Sequence, residues 1–161
     1  MIDLVSRLFS RGQPVVSDAG PRDAKAIAAL HAASFRRGWS DGEVEQLLRD
    51  PNVVADRALM RRGLVGFILT RCAADEAEIL SIAVGQDARG RGLGRKLLQR
   101  NLQRLAGLGV REVFLEVGAE NDTALRLYEH MGFEQVGKRE RYYGSDATLD
   151  STALVLRREI G

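Results

Sequence analysis

Residues 80–98 constrain this chain more than any other stretch: Leu-Ser-Ile-Ala-Val-Gly-Gln-Asp-Ala-Arg-Gly-Arg-Gly-Leu-Gly-Arg-Lys-Leu-Leu. An apolar strand runs into a glycine-rich loop, and the loop opens an amphipathic helix rich in arginine. Glycines let a backbone come within hydrogen-bonding range of phosphate oxygens, and the first turn of a helix carries N–H groups with no internal partner. The helix dipole adds partial positive charge at the same point, so the arrangement suits a pyrophosphate. Arg89, Arg91, Arg95, Lys96, Arg100 and Arg104 stand against the single acid Asp87. The segment is therefore far more basic than the whole chain, whose formal charge is +2. The same residues also fit a plainer reading, a helix start whose arginines form a solvated face.

Spacing separates the phosphate motifs. A dinucleotide fingerprint G-x-G-x-x-G would start at Gly90 and Gly92 but finds Arg95 at its third glycine, and it belongs in a first strand–turn–helix unit rather than mid-chain. A P-loop starting at Gly85 reaches Gly90 and then finds Arg91 and Gly92 where Lys and Ser/Thr are needed. The pattern that fits is [Q/R]-x-x-G-x-[G/A], met by Arg89, Gly92 and Gly94 after the apolar strand. It resembles the acyl-CoA-binding motif of the GNAT superfamily of N-acetyltransferases.

The rest of the chain bounds the possibilities. At 161 residues, 45% hydrophobic and 29% charged, it reads as one globular domain over residues 14–161, with residues 1–13 as a leader. A domain of that size buries about two thirds of its unfolded surface without staples. The small net charge does not call for nucleic acid. Cys72 is the lone cysteine, so no internal disulfide forms, and with two histidines beside it a zinc site is not expected. Asp3 and Arg7 interrupt the first apolar residues, which argues against a signal peptide or a membrane span. A reducing, cytoplasmic compartment is the expectation.

Periodicity places the elements. A short strand is expected at 14–17. A helix opens at Pro21 with Ala24, Ile27, Ala28, His31 and Phe35 on one face. Ser40 and Glu43 form a capping box for a second helix running to residue 49. Three strands follow at 53–60, 64–72 and 76–84, the first two joined by a turn at Arg61-Arg62-Gly63. The helix after the glycine loop carries Leu93, Leu97, Leu98, Leu102 and Leu105 in one stripe and stops at Gly107 and Gly109. A strand at 113–117 leads to a short helix capped by Asn121 and ended by Gly132. Two further strands are expected, at 133–136 with a continuation toward 143, and at 152–157. This order implies an α/β fold with a mixed sheet of about seven strands and four helices on both faces. The strands at 76–84 and 113–117 should form its parallel pair.

The resemblance then sharpens. The order is similar to that of the N-acetyltransferases over about residues 14–158, and the second half resembles the RimI-type N-terminal acetyltransferases, which modify a small-subunit ribosomal protein. Leu115-Glu116-Val117, Asn121, Ala124 to Glu129, Gly132-Phe133 and Arg141-Tyr142-Tyr143 carry that likeness, with Trp39-Ser40 ahead of the second helix. Three positions depart from the pattern: Gly85-Gln86 in place of Asp-Pro, Gly118 in place of an arginine, and Thr152-Ala153-Leu154 in place of Asp-Ala-[Leu/Ile]. These bear on the acceptor more than on the donor.

What the resemblance implies is acetyl-CoA as donor, and a protein N-terminal α-amine as acceptor. No nucleic acid or membrane partner is expected. It assigns Glu116 as proton acceptor and Tyr128 as proton donor. Backbone groups of Ile82, Ala83 and Val84 would pair with pantetheine, and Arg89, Gly90, Arg91, Gly92, Leu93, Gly94 and Arg95 would cradle the pyrophosphate, with Asn121 as a further contact. Trp39, Tyr142 and Tyr143 would wall the acceptor groove. Each residue has a second reading: Glu116 as a carboxylate reaching solvent at a sheet end, Tyr128 and the three wall aromatics as packing. His31 reads as a core histidine and Cys72 as a small apolar filler. The function classes that remain are an N-terminal acetyltransferase, a small-molecule amine acetyltransferase, and an acyl-CoA-binding module without catalysis.

Overall fold

The protein is described by a computed structural model. It gives the backbone of residues 12–142 and 149–161, with side chains outside 141–142 and 149–151. Most of the leader expected at 1–13, and Tyr143, lie outside the described residues.

The chain runs β1 (Val15–Asp18), α1 (Ala24–Ser34), α2 (Asp41–Arg49), β2 (Val53–Met60), β3 (Gly63–Ala73), β4 (Glu76–Val84), α3 (Leu93–Gly107), β5 (Glu112–Gly118), α4 (Asp122–His130), β6 (Glu134–Tyr142) and β7 (Leu149–Glu159). Short 3-10 turns at Pro21–Asp23 and Gln86–Ala88 precede α1 and the glycine loop. The strands make one 7-stranded sheet in the order β1-β2-β3-β4-β5-β7-β6. Every neighbouring pair is antiparallel except β4 and β5, the parallel pair expected from the crossover through α3.

Local chemistry accounts for most boundaries. Ser40 Oγ accepts from the Glu43 N–H at 3.2 Å while Glu43 Oε2 accepts from the Ser40 N–H at 2.8 Å, so both halves of the expected capping box form at the start of α2. The five leucines of the α3 stripe are all buried and pack with Ile68, Ile79, Val113, Leu115 and Leu156 on one face of the sheet. On the other face Ile27 of α1 and Val44 of α2 pack with Ala55, Phe67, Leu69 and Ala83. Adjacent residues of β3 thus alternate between two cores, which is why that strand reads as an unbroken apolar run.

Phe35 corrects the expected face of α1. The helix ends at Ser34, Phe35 takes an extended backbone (φ −129°, ψ 150°), and the residue is 41% exposed. The chain instead doubles back over the helix at Gly38. A Cβ on Gly38 would sit 2.9 Å from the Ala32 Cα, so only glycine allows so close a pass. That return lays Trp39 on His31, ring centroids 4.1 Å apart and 10° from parallel. β6 includes the continuation expected toward 143, and β7 is longer than periodicity suggested, because the two pair from Glu134↔Arg157 to Tyr142↔Leu149.

One irregularity positions the site. Between β3 and β4, Leu69 faces Ser81 but Thr70 faces Ile79, so Leu80 is an extra residue in β4. The bulge reverses which side chains face α3. Before it Ala77 and Ile79 join the α3 core; after it Ile82 and Val84 do, while Ala83 joins the α1–α2 core. The parallel ladder with β5 ends at the same point, at Ile79↔Leu115. β3 follows β4 to Val84, and β7 follows β5 to Gly118. The two central strands therefore part from Leu80 and Glu116 onward, each still held by its outer neighbour.

Candidate active site

The glycine loop ends in two left-handed residues, Gly90 (φ +79°) and Gly92 (φ +73°), and a Cβ on either would meet nothing within 4 Å. Gly92 caps α3 without a side chain. Lys96 N–H donates to the Gly92 carbonyl at 3.1 Å, but among the described residues nothing accepts from the N–H of Leu93, Gly94 or Arg95. Open space beside unpaired donors at a helix N-terminus fits an anionic ligand. Gly94 has a different task as well: its Cβ would lie 3.4 Å from Leu127 Cδ2, so it sets how closely α4 passes α3. Arg89 Nε donates to the Val84 carbonyl at 3.1 Å and Arg91 Nη1 to the Gly12 carbonyl at 3.3 Å, which braces the loop. Ala88, 3% exposed, anchors it in the core.

Arg100 and Arg104 do not belong to this basic cluster. Both pair with Asp56, a fully buried aspartate on β2, and with Asp18 of β1. Arg104 Nη1 lies 2.5 Å from Asp56 Oδ1 and 2.9 Å from the Ala55 carbonyl. Asn101, on the intervening turn, donates to Asp56 Oδ2 at 2.9 Å and accepts from Thr70 Oγ1 at 2.7 Å. The Arg100 guanidinium beside Asp18 holds that carboxyl below the usual carboxylate range. An aspartate inside the apolar run Val53-Val54-Ala55-Asp56 was the available signal for this network.

Glu116 lies where β5 leaves β4. Val113, Leu115 and Val117 point into the α3 core, so Glu116 points to the opposite face, as the strand period requires. Its side chain is 24% exposed, and its Oε1 lies 3.1 Å from Arg139 Nη1 of β6. Arg139 was not foreseen, because its approach depends on the order of strands in the sheet.

Tyr128 comes from the other face. Asn121 caps α4, its Oδ1 accepting from the Ala124 N–H at 3.2 Å. Gly132 (φ +84°) ends the helix region, and between them Tyr128 is 5% exposed in the α3 core, edge-on to Phe133 at 5.8 Å. Burial pushes its phenol up to about 12. The side chain thus packs as a core aromatic and remains a neutral donor over the whole physiological range.

The remaining residues divide. Trp39 N–H donates to His31 Nδ1 at 3.1 Å, and His31 is 4% exposed with its pKa lowered by desolvation, so it is a neutral core histidine. Trp39 also borders a surface cavity of about 470 Å³ with Leu47, Leu80 and Arg71, on the α1–α2 side of the bulge. Tyr142 is placed only by its backbone, at the far end of β6. Cys72 is a half-buried thiol raised by desolvation. Among the described residues no group of His, Cys, Asp and Glu is arranged to hold a metal ion, and no helix is long and apolar enough to cross a membrane.

A seven-stranded mixed sheet that parts beside a glycine-rich helix start defines an acyl-transferase class of fold. The chain belongs to the acetyltransferase (GNAT) family, whose pattern matches residues 24–133. That family uses acetyl-CoA. Over 94 residues the chain is 40% identical to the [ribosomal protein bS18]-alanine N-acetyltransferase of Escherichia coli, covering 58% of this chain and 64% of that protein. The chain thus matches less than two thirds of that relative's length. Over 145 residues it is 38% identical to the N-alpha-acetyltransferase RimI of Mycobacterium tuberculosis, covering 84% of this chain and 90% of that one. The crystal structure of the E. coli ribosomal-protein-S18-alanine N-acetyltransferase superposes with a TM-score of 0.82 at 26% identity, over 92% of this chain and 94% of that one.

Proposed function

We propose that the protein is an acetyl-CoA-dependent N-acetyltransferase acting on a protein N-terminal α-amine, with a ribosomal-protein alanine as leading acceptor. Transfer is direct, within a ternary complex. The observation that carries this reading is the parting of β4 from β5, with Glu116 on β5 at the point where the two strands separate. The relatives that share the fold at this identity and act on ribosomal-protein alanine support the choice of acceptor. The compartment consistent with such an acceptor is the cytoplasm.

Acetyl-CoA, when bound, supplies an acetyl group activated as a thioester. The N–H groups at the start of α3 hold its pyrophosphate, with Arg89, Gly90, Arg91, Gly92, Leu93, Gly94 and Arg95 shaping the cradle. The backbone of Ile82, Ala83 and Val84, unpaired with β5, offers a ladder edge to the pantetheine, and one N–H there polarises the thioester carbonyl. Glu116 takes the proton of the α-ammonium, whose pKa of about 8 makes it a loosely held one. Tyr128 hydrogen-bonds the departing sulfur. A phenol raised to about 12 is a far weaker acid than a thiol near 8.5, so the hydroxyl stabilises the thiolate rather than handing over its proton early. Trp39 lines the acceptor groove on the α1–α2 side, and Asn121 both caps α4 and meets the donor.

The test is turnover of acetyl-CoA with N-terminal peptides assayed beside free amino acids and polyamines. A peptide beginning with alanine should be the better substrate by kcat/KM. A preference for free amines would favour the small-molecule reading, and coenzyme A binding without turnover would leave an acyl-CoA-binding module.

Acetyl-CoA should also raise the melting temperature where NAD and ATP do not, since a ligand at 100 times its dissociation constant adds about 2.7 kcal/mol. Gly92→Val should remove most of that shift. Valine at φ +73° also strains the backbone by roughly 1–2 kcal/mol, so the variant is less stable by itself. Gly109→Val, with φ +91° at the other end of α3, supplies the control for strain alone. Equal loss of the acetyl-CoA shift in both variants would count against the loop as the pyrophosphate site.

A further inference from the structure

The sheet order places β7 between β5 and β6, so a β6 side chain must cross a whole strand to reach β5. Arg139 stands opposite Ala153, and Ala153 opposite Gly118, which puts the three in one row on one face. Glu116 occupies the next row of that face, opposite Val155. Arg139 reaches it diagonally, Nη1 to Oε1 at 3.1 Å. The crossing is open because Ala153 and Gly118 place only a methyl and a hydrogen in the path. Lys138 and Glu140, the neighbours of Arg139, stand opposite Leu154 and Thr152 and so point to the other face. Of these three residues only Arg139 shares a face with Glu116.

We infer that Arg139 is a positioning residue that fixes the carboxylate of Glu116 for proton removal, an inference that rests on Glu116 being the base. A pair whose side chains are 64% and 24% exposed adds little to folding stability. Its consequence is directional. A glutamate has three rotatable side-chain bonds, and an ion pair with a planar guanidinium favours one orientation of the carboxylate. Proton abstraction depends steeply on such placement. Arg139 acts through Glu116 and touches no reacting atom.

The experiment is a double-mutant cycle on the full chain, with acetyl-CoA and a saturating alanine-first peptide. Arg139→Ala should lower kcat at least about tenfold while leaving the melting temperature and the KM for acetyl-CoA unchanged. Arg139→Lys should recover part of the rate, because it keeps the charge and loses the fork. In the Glu116→Gln background, Arg139→Ala should cost nothing further. Additive losses in the double variant, or a wild-type kcat in Arg139→Ala with Glu116→Gln slow, would overturn the positioning role alone. A wild-type rate in Glu116→Gln would overturn the assignment of the base, and this inference with it.

Discussion

Glu116→Gln should lower the rate with a saturating N-terminal peptide by roughly 10²–10⁴ at neutral pH, with fold and acetyl-CoA affinity unchanged. The amide keeps the shape of the side chain at the parting of β4 and β5 but cannot take a proton. Near pH 7 an α-amine of pKa about 8 is mostly protonated, so the base is needed in nearly every turnover. The deficit should shrink toward pH 10, where the free amine is abundant. A deficit constant from pH 6 to 10 would assign Glu116 to acceptor positioning instead. Tyr128→Phe separates the other half of the mechanism. Its phenol, pushed up to about 12, stays protonated throughout this pH range, so its contribution should not titrate. Losing one hydrogen bond to a charged sulfur, worth ~1.5–3 kcal/mol, should slow the reaction at least about tenfold. The ring and its contact with Phe133 survive, so stability should barely change. Wild-type rates in both variants would leave Tyr128 as packing and Glu116 as a surface carboxylate.

What could be read in the sequence was what depends on neighbours along the chain. The capping box of Ser40 and Glu43, the leucine stripe of α3 and the parallel partnership of β4 with β5 each follow from local spacing or from one crossover. The parity of β4 was not legible, because a bulge at Leu80 leaves no composition signal and yet reverses the faces of every later residue in the strand. Phe35 misled for a related reason: helical period says nothing about a chain returning over Ala32 through Gly38. Arg139 could not be paired with Glu116 before β7 was known to lie between β5 and β6. The Ser81 hydroxyl, buried beside the bulge and lacking a hydrogen-bond partner among the described residues, was equally silent. Arg100 and Arg104, counted with the basic segment, turn out to serve the fold. Sequence proximity groups them with the arginines of the glycine loop, but a turn or more beyond the N-terminus of α3 they meet Asp56 instead.

That network leads to the largest expected effect on stability. Asp56 is fully buried, with Oδ1 accepting from Arg100 and Arg104 and Oδ2 accepting from Asn101. In Asp56→Asn one of these oxygens becomes an NH₂ donor, and whichever way the amide turns it faces another donor. Two guanidinium groups are then left with the exposed Asp18 and the Ala55 carbonyl. Removing one partner of a buried charged cluster costs about 3–5 kcal/mol, against a total stability of about 5–15 kcal/mol for a domain. Chemical denaturation should show that loss as a lower midpoint at unchanged slope. Arg100→Gln should weaken folding by less, because Arg104 still serves Asp56, and it should leave acetyl-CoA affinity intact. A clear loss of acetyl-CoA affinity in Arg100→Gln would place that arginine in the pyrophosphate site as well. Acid provides an independent check on sign. The depressed carboxyl of Asp18 contributes stability that is present above the unfolded value of about 3.9 and is lost as pH falls through its lower folded value. On this account the Asp18–Arg100 pair is intact at pH 5, and Asp18→Asn should cost as much there as at pH 7. A loss confined to one of the two pH values would mean that another titrating group carries the pair.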